Sequence, residues 1–214
     1  MIRFIAVALL FACIPAYATS VGVAAVGESF TYSDPGGHLP FSEPPSGTLF
    51  TLAFTYDSET PDVNGDPRLG VYAGAISAMS LTVGNLVIPS WPDNALVMLD
   101  GYGANPNTDI WLAYTFIDTP LTSERFGLQL LDTRGTALSS DAIVPPSWPG
   151  SPWNLGAIYY EVQERATAND PFVTVASMYS TPTSITVVPL PGAAWLLGTS
   201  CLSLMGAMRR KVIA

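Results

Sequence analysis

The sequence predicts an all-β fold: a single antiparallel β-sandwich, jelly-roll-like, set between an N-terminal signal peptide and a C-terminal transmembrane helix. Three observations carry this. Between residues 19 and 187 apolar side chains recur at period two rather than 3.6. About ten short segments rich in Val, Ile, Thr, Tyr and Phe are separated by Gly, Pro, Asn and Asp. No helix-period stretch lies between them to carry a parallel crossover, so the pairing is antiparallel. A closed barrel is the second arrangement that fits this pattern.

The alternation is clearest in Thr48–Tyr56, where Phe50, Leu52, Phe54 and Tyr56 fall on one face. Ser29–Ser33 reads as a strand before it. Ala75–Val83, Leu86–Ile88, Ala95–Leu99, Ile110–Ile117, Phe126–Leu131, Ala157–Val162, Val173–Met178 and Ser184–Val187 follow as further strands. Gly84-Asn85 has the chemistry of a two-residue hairpin, and Asp132-Thr133-Arg134-Gly135 that of a slightly longer one. Residues 19–187 form one domain without an internal boundary.

The two ends read as addresses. Residues 1–18 have the parts of a secretory signal: Arg3, an apolar run from Phe4 to Ile14, and Ala16-Tyr17-Ala18 before the expected cut after Ala18. The apolar run is too short to span a bilayer. Export through the Sec machinery and cleavage by signal peptidase follow as expectations. At the other end, the stretch from about 190 to 208 (Leu190 to Met208) holds no charge and precedes Arg209, Arg210 and Lys211. As a helix it would be about 28 Å long, close to the hydrocarbon thickness of a membrane. The basic tail, 209–211, holds the cytoplasmic side, so residues 19–187 are expected outside the inner membrane.

Val188-Pro189-Leu190-Pro191, then an apolar segment, then Arg209-Arg210-Lys211, resembles the PEP-CTERM sorting signal of exopolysaccharide-producing Gram-negative bacteria. It departs from the name-giving motif in carrying Leu190 where that motif has Glu. The resemblance covers residues 188–214. It implies an exosortase-type sorting enzyme, an inner-membrane-anchored precursor, and a final place at the cell surface or in the extracellular matrix. Phe54–Ser58, Gly70–Ile76, Leu128–Asp132 and Ala137–Asp141 resemble, in the same order, passenger regions of uncharacterised members of that family.

Composition narrows the chemistry. The chain has 17 acidic and 8 basic residues and a formal charge of −9. Half of the basic residues (Arg3, Arg209, Arg210, Lys211) lie in the two ends. The passenger keeps Arg68, Arg125, Arg134 and Arg165, no lysine and all 17 acids, which leaves it at −13. A nucleic-acid partner is excluded, because binding phosphate requires a basic face. Cys13 and Cys201 also lie in the ends, so the passenger has no disulfide.

Catalysis finds little support. His38, the single histidine, lies in the loop Asp34–Pro40 without a nucleophile elbow, and reads as an exposed loop residue. The carboxylate pairs Asp57/Glu59 and Glu161/Glu164 have nothing to distinguish them as glycosidase acids. Asp57, Glu59, Asp62, Asn64 and Asp66 supply enough oxygens for a calcium loop, the one metal the sequence offers. Pro67 and Ala73 break the EF-hand pattern, and the same residues are those that turn a chain between strands. The tetrapeptide Pro-Ser-Trp-Pro occurs at 89–92 and 146–149. Trp91, Trp148 and Trp153 could offer flat faces to sugar rings, or cap the ends of the core. The expectation is a non-enzymatic, exported surface or matrix protein, structural or adhesive among exopolysaccharide. The rival expectation is a carbohydrate-binding or carbohydrate-cleaving module.

Overall fold

The computed structural model describes residues 20–101, 107–149 and 152–190. They hold ten strands: β1 (Ser20–Ser33), β2 (Phe50–Asp57), β3 (Leu69–Ala73), β4 (Ile76–Val83), β5 (Leu86–Pro89), β6 (Asp93–Leu99), β7 (Asp109–Asp118), β8 (Thr122–Asp132), β9 (Leu155–Glu164) and β10 (Val173–Leu190). There is no helix among the described residues. The all-β antiparallel class is as expected.

The strands join into one sheet rather than two, in the order β3-β6-β7-β8-β9-β10-β1-β2-β4-β5. The two longest strands turn the corner. β10 pairs with β9 from Val173 to Ser180 and with β1 from Ser177 to Leu190. The first half of β1 in turn pairs with β2. Register shifts at Val26/Gly27, Gly27/Ser29 and Thr174/Ala176 bend these strands, as bulges do. The sheet therefore curls on itself, a half-barrel with β3 and β5 as its open edges.

The inner face is a continuous apolar core. Phe50, Leu52, Phe54, Tyr56, Met79 and Leu81 from one wing meet Leu96, Met98, Trp111, Phe126, Leu128, Ile158 and Tyr160 from the other. The Phe54 and Trp111 rings, 6.1 Å apart, join the two wings. Burying such side chains stabilises by about 1.5–3 kcal/mol each. The chain crosses between wings at 58–68, 74–75 and 90–92, and loops 34–49 and 133–154 close the ends.

The Gly84-Asn85 turn joins β4 to β5 as expected, with Gly84 at φ +58° and Val83 paired to Leu86. Asp132–Gly135 does not make a hairpin. It turns the chain into the long loop 133–154, and β8 pairs with β9 only from Leu155 onward. The segments read as Val173–Met178 and Ser184–Val187 are one strand, β10. The first half of β1 and all of β3 were absent from the expected strands.

Candidate functional site

Alternation along the strands sets aside a second population of side chains on the outer face. Phe126, Leu128 and Leu130 of β8, Ile158, Tyr160 and Val162 of β9, and Met178 of β10 point into the core. Their neighbours Arg125, Gln129, Tyr159, Glu161 and Tyr179 therefore project the other way. Register places Arg125 directly across from Glu161, and Tyr179 diagonally from it.

Glu161 is only 8% exposed although it lies on the outer face. Its Oε2 accepts from Arg125 Nε at 2.6 Å and from Nη2 at 2.5 Å, while the Tyr179 hydroxyl donates to Oε1. Burial opposes the Arg125 charge, but the hydrogen-bonded Glu161 carboxylate outweighs it and raises the arginine's pKa. Burial, helped by the same carboxylate, pushes the Tyr179 hydroxyl up to about 12. Tyr159, buried between them, is driven well above the ordinary tyrosine range by burial. Together with Leu112 and Gln129 these side chains line a cavity of about 280 Å³. With both Glu161 oxygens engaged, the arrangement suits recognition better than proton transfer.

A wider hollow of about 490 Å³ lies over the other wing, bounded by small side chains such as Gly22, Ala24, Ala53, Thr55, Ala78 and Ser80. It contains no charged group.

The residues singled out in the sequence fall elsewhere. In the loop after β2, one oxygen each of Asp57, Asp62, Asn64 and Asp66 is taken by a backbone N–H. Asp57 accepts from Glu59, Asp62 from Asn64 and from Val71, Asn64 from Asp66, and Asp66 from Arg68, at 2.7–3.0 Å. This is a run of Asx turns. Among the described residues no three Asp, Glu, His or Cys side chains converge as a metal site would require.

The two Pro-Ser-Trp-Pro copies occupy unrelated places. Trp91 crosses the end of the core, edge-on to Phe126 and Tyr160, with its backbone pinned on both sides by the buried Thr115 hydroxyl. Trp148, followed by a cis Pro149, donates its indole N–H to the Pro182 carbonyl at 2.8 Å. Trp153 is 5% exposed. These three indoles face the core, and they form no exposed row for a sugar.

His38 sits in an exposed loop with Nδ1 3.3 Å from Glu164 Oε1. Asp34 organises that loop by accepting from the His38 and Leu39 amides. Glu161 and Glu164 do not act together, since a spacing of three on a strand sends them to opposite faces. Val188, Pro189 and Leu190 end β10, opposite Gly22, Val21 and Ser20 of β1. Ala16, Ala18, Pro191, Arg209, Arg210, Lys211 and all but the first residue of the expected membrane helix lie outside the described residues.

Sequence reasoning missed a second acidic pair. Asp109 and Asp132 are register partners on β7 and β8, and both are fully buried. Asp109 accepts from the Gly101, Ala137 and Leu138 amides at 2.8–3.0 Å. Asp132 accepts from the amides of Arg134 and Thr136, the Thr136 hydroxyl and Arg134 Nε. Burial raises its pKa, but these donors together hold it down to about 2. The pair anchors loops at one end of the sheet. An aspartate on each side of a strand pairing was the available signal, but only the register reveals it.

Comparison with protein-family models, curated proteins and solved structures finds no match to this chain.

Proposed function

We propose that this chain is the precursor of an exported, non-enzymatic protein whose all-β passenger serves a structural or adhesive role at the cell surface or in the extracellular matrix. The N-terminal segment directs export and is cut after Ala18. The C-terminal segment holds the passenger on the outer side of the inner membrane until a sorting enzyme acts at Val188–Pro191.

One observation supports this reading above the rest. Ser20 pairs with Leu190, so the chain enters and leaves the sheet at a single corner. This placement suits a passenger slung between an N-terminal membrane-inserting segment and a C-terminal span. Both connections then approach the bilayer from one side, and the rest of the sheet hangs free in the periplasm. The acidic, lysine-free surface also keeps such a passenger soluble and repels anionic lipid.

Fractionation with intact-mass analysis tests the reading. The expected product lacks residues 1–18 and the chain beyond the sorting motif, and is recovered outside the inner membrane. Recovery of the whole chain with both ends attached would overturn it.

A further inference from the structure

We propose that the outer-face cavity formed by Leu112, Arg125, Gln129, Tyr159, Glu161 and Tyr179 is a binding site for one neutral pyranose ring. This assignment rests on the cavity's own chemistry, and it stands or falls separately from the export pathway.

The Glu161 side chain is 11% exposed and held by the ion pair, while the Arg125 side chain, 38% exposed, still faces the cavity. The pair does not consume all of its own groups. Arg125 binds Glu161 through Nε and Nη2, leaving Nη1 without a partner among the described residues. The Tyr159 hydroxyl and the Gln129 carboxamide lack hydrogen-bond partners there as well, although Tyr159 is only 5% exposed. Among the described residues the buried polar side-chain atoms left unbonded are Tyr56 Oη and Ser180 Oγ, so the Tyr159 hydroxyl opens onto the cavity, where an incoming group reaches it.

The groups that remain match a sugar hydroxyl. Arg125 Nη1 donates, the Gln129 amide donates and accepts, and the Tyr159 hydroxyl does both. Each ring hydroxyl likewise donates and accepts at once. The tyrosine rings and Leu112 add apolar surface for the C–H face of a pyranose. A volume of about 280 Å³ lies just below the range of drug-sized pockets, room for one ring rather than several.

Charge selects against an acidic sugar. Glu161 already neutralises Arg125, and the passenger carries −13, so a uronate or a phosphate would enter against the field. Hydrolysis is not part of the proposal, because the cavity holds a single carboxylate and both of its oxygens are bonded.

Ligand-observed NMR on the full-length chain, in a detergent without a sugar headgroup, provides the test. The probes are the methyl pyranosides of glucose, galactose and mannose, with glucuronate as the charged control. At least one neutral glycoside is expected to bind with a Kd of roughly millimolar order. Gln129→Ala and Tyr159→Phe, each checked for an unchanged near-ultraviolet circular dichroism spectrum, should each weaken it by about tenfold. Dextran as an added probe separates the sources: binding of the glycoside alone marks a free sugar, and binding of both marks a polysaccharide chain. No glycoside binding up to about 100 mM, binding indifferent to both substitutions, or a preference for glucuronate would overturn the proposal.

Discussion

Two groups of carboxylates in this molecule look alike in composition and differ in everything else. Asp57, Glu59, Asp62 and Asp66 lie within ten residues of one another in a loop that is exposed or half-buried. Asp109 and Asp132 are far apart in sequence, opposite each other across β7 and β8, and fully buried. The crowded group is the conspicuous one in the sequence, yet most of its bonds reach only two residues along the chain. The sparse pair holds loops from three parts of the chain: residue 101, residues 134–136 and residues 137–138. Local density of acids therefore reports turns, and burial reports structural work.

The sharpest way to break that contrast is Asp109→Ala. It leaves three backbone N–H groups without their acceptor, and orphaned buried donors cost about 1–3 kcal/mol each. We expect a loss of about 3 kcal/mol in urea denaturation. A loss below about 1 kcal/mol would show that water replaces the carboxylate and that the pair is no anchor.

Asp132 sharpens the comparison through pH. Its folded pKa lies at about 2, below the ordinary 3.8. The sign follows: its contribution is fully present above the unfolded value and is lost as pH falls from there through the folded value. The melting temperature should therefore drop between pH 4 and pH 2, and Asp132→Asn should flatten that part of the profile. An equally steep profile in the variant would assign the acid sensitivity to other carboxylates.

Asp62 is the intermediate case, because it accepts from Val71 in the middle of β3 as well as from its own turn. Asp62→Ala should cost about 1 kcal/mol, read by chemical denaturation. The smallest effect belongs to Asp57→Ala, an exposed turn acceptor, at about 0.5 kcal/mol or less. Millimolar calcium should leave the melting temperature of the native chain within about 1 °C. A clear rise would return the loop to the role of an ion site.

The fold was legible wherever one face is apolar and the other polar. Phe50, Leu52, Phe54 and Tyr56 alternate with Thr51, Ala53 and Thr55, and β2 lies where that alternation puts it. The first half of β1 was illegible because Val21, Val23 and Ala25 point inward while Gly22, Ala24 and Val26 point out. With both faces apolar, period two leaves no trace in the pattern. Asp132–Gly135 looked like a hairpin because turn chemistry is local. Whether the next strand follows at once, or after a long excursion, depends on what the loop covers. Loop 133–154 covers the core with Leu138 and Trp153, and Trp111 Nε1 holds it through the Val144 carbonyl at 2.9 Å.

The outer-face site was harder to read for the same physical reason. Arg125, Glu161 and Tyr179 stand on three strands, 36 and 18 residues apart in sequence. No spacing rule connects them, since only the register of β8, β9 and β10 brings them together. In sequence the acid nearest Glu161 is Glu164, whereas its partners are neighbours in the sheet.

The pairing of Ser20 with Leu190 has one more consequence, in the topology of the polypeptide. Paired residues of antiparallel strands have Cα atoms about 5 Å apart, so a few glycines would weld the end of β10 to the start of β1. The chain would then be a closed loop in all but one bond, and that bond could be broken elsewhere. The exposed connection 166–171 between β9 and β10 is the natural place, because little side-chain packing crosses it. A circular permutant opened there should keep the ladder order, and the same geometry would let the domain be spliced into a surface loop of an unrelated host.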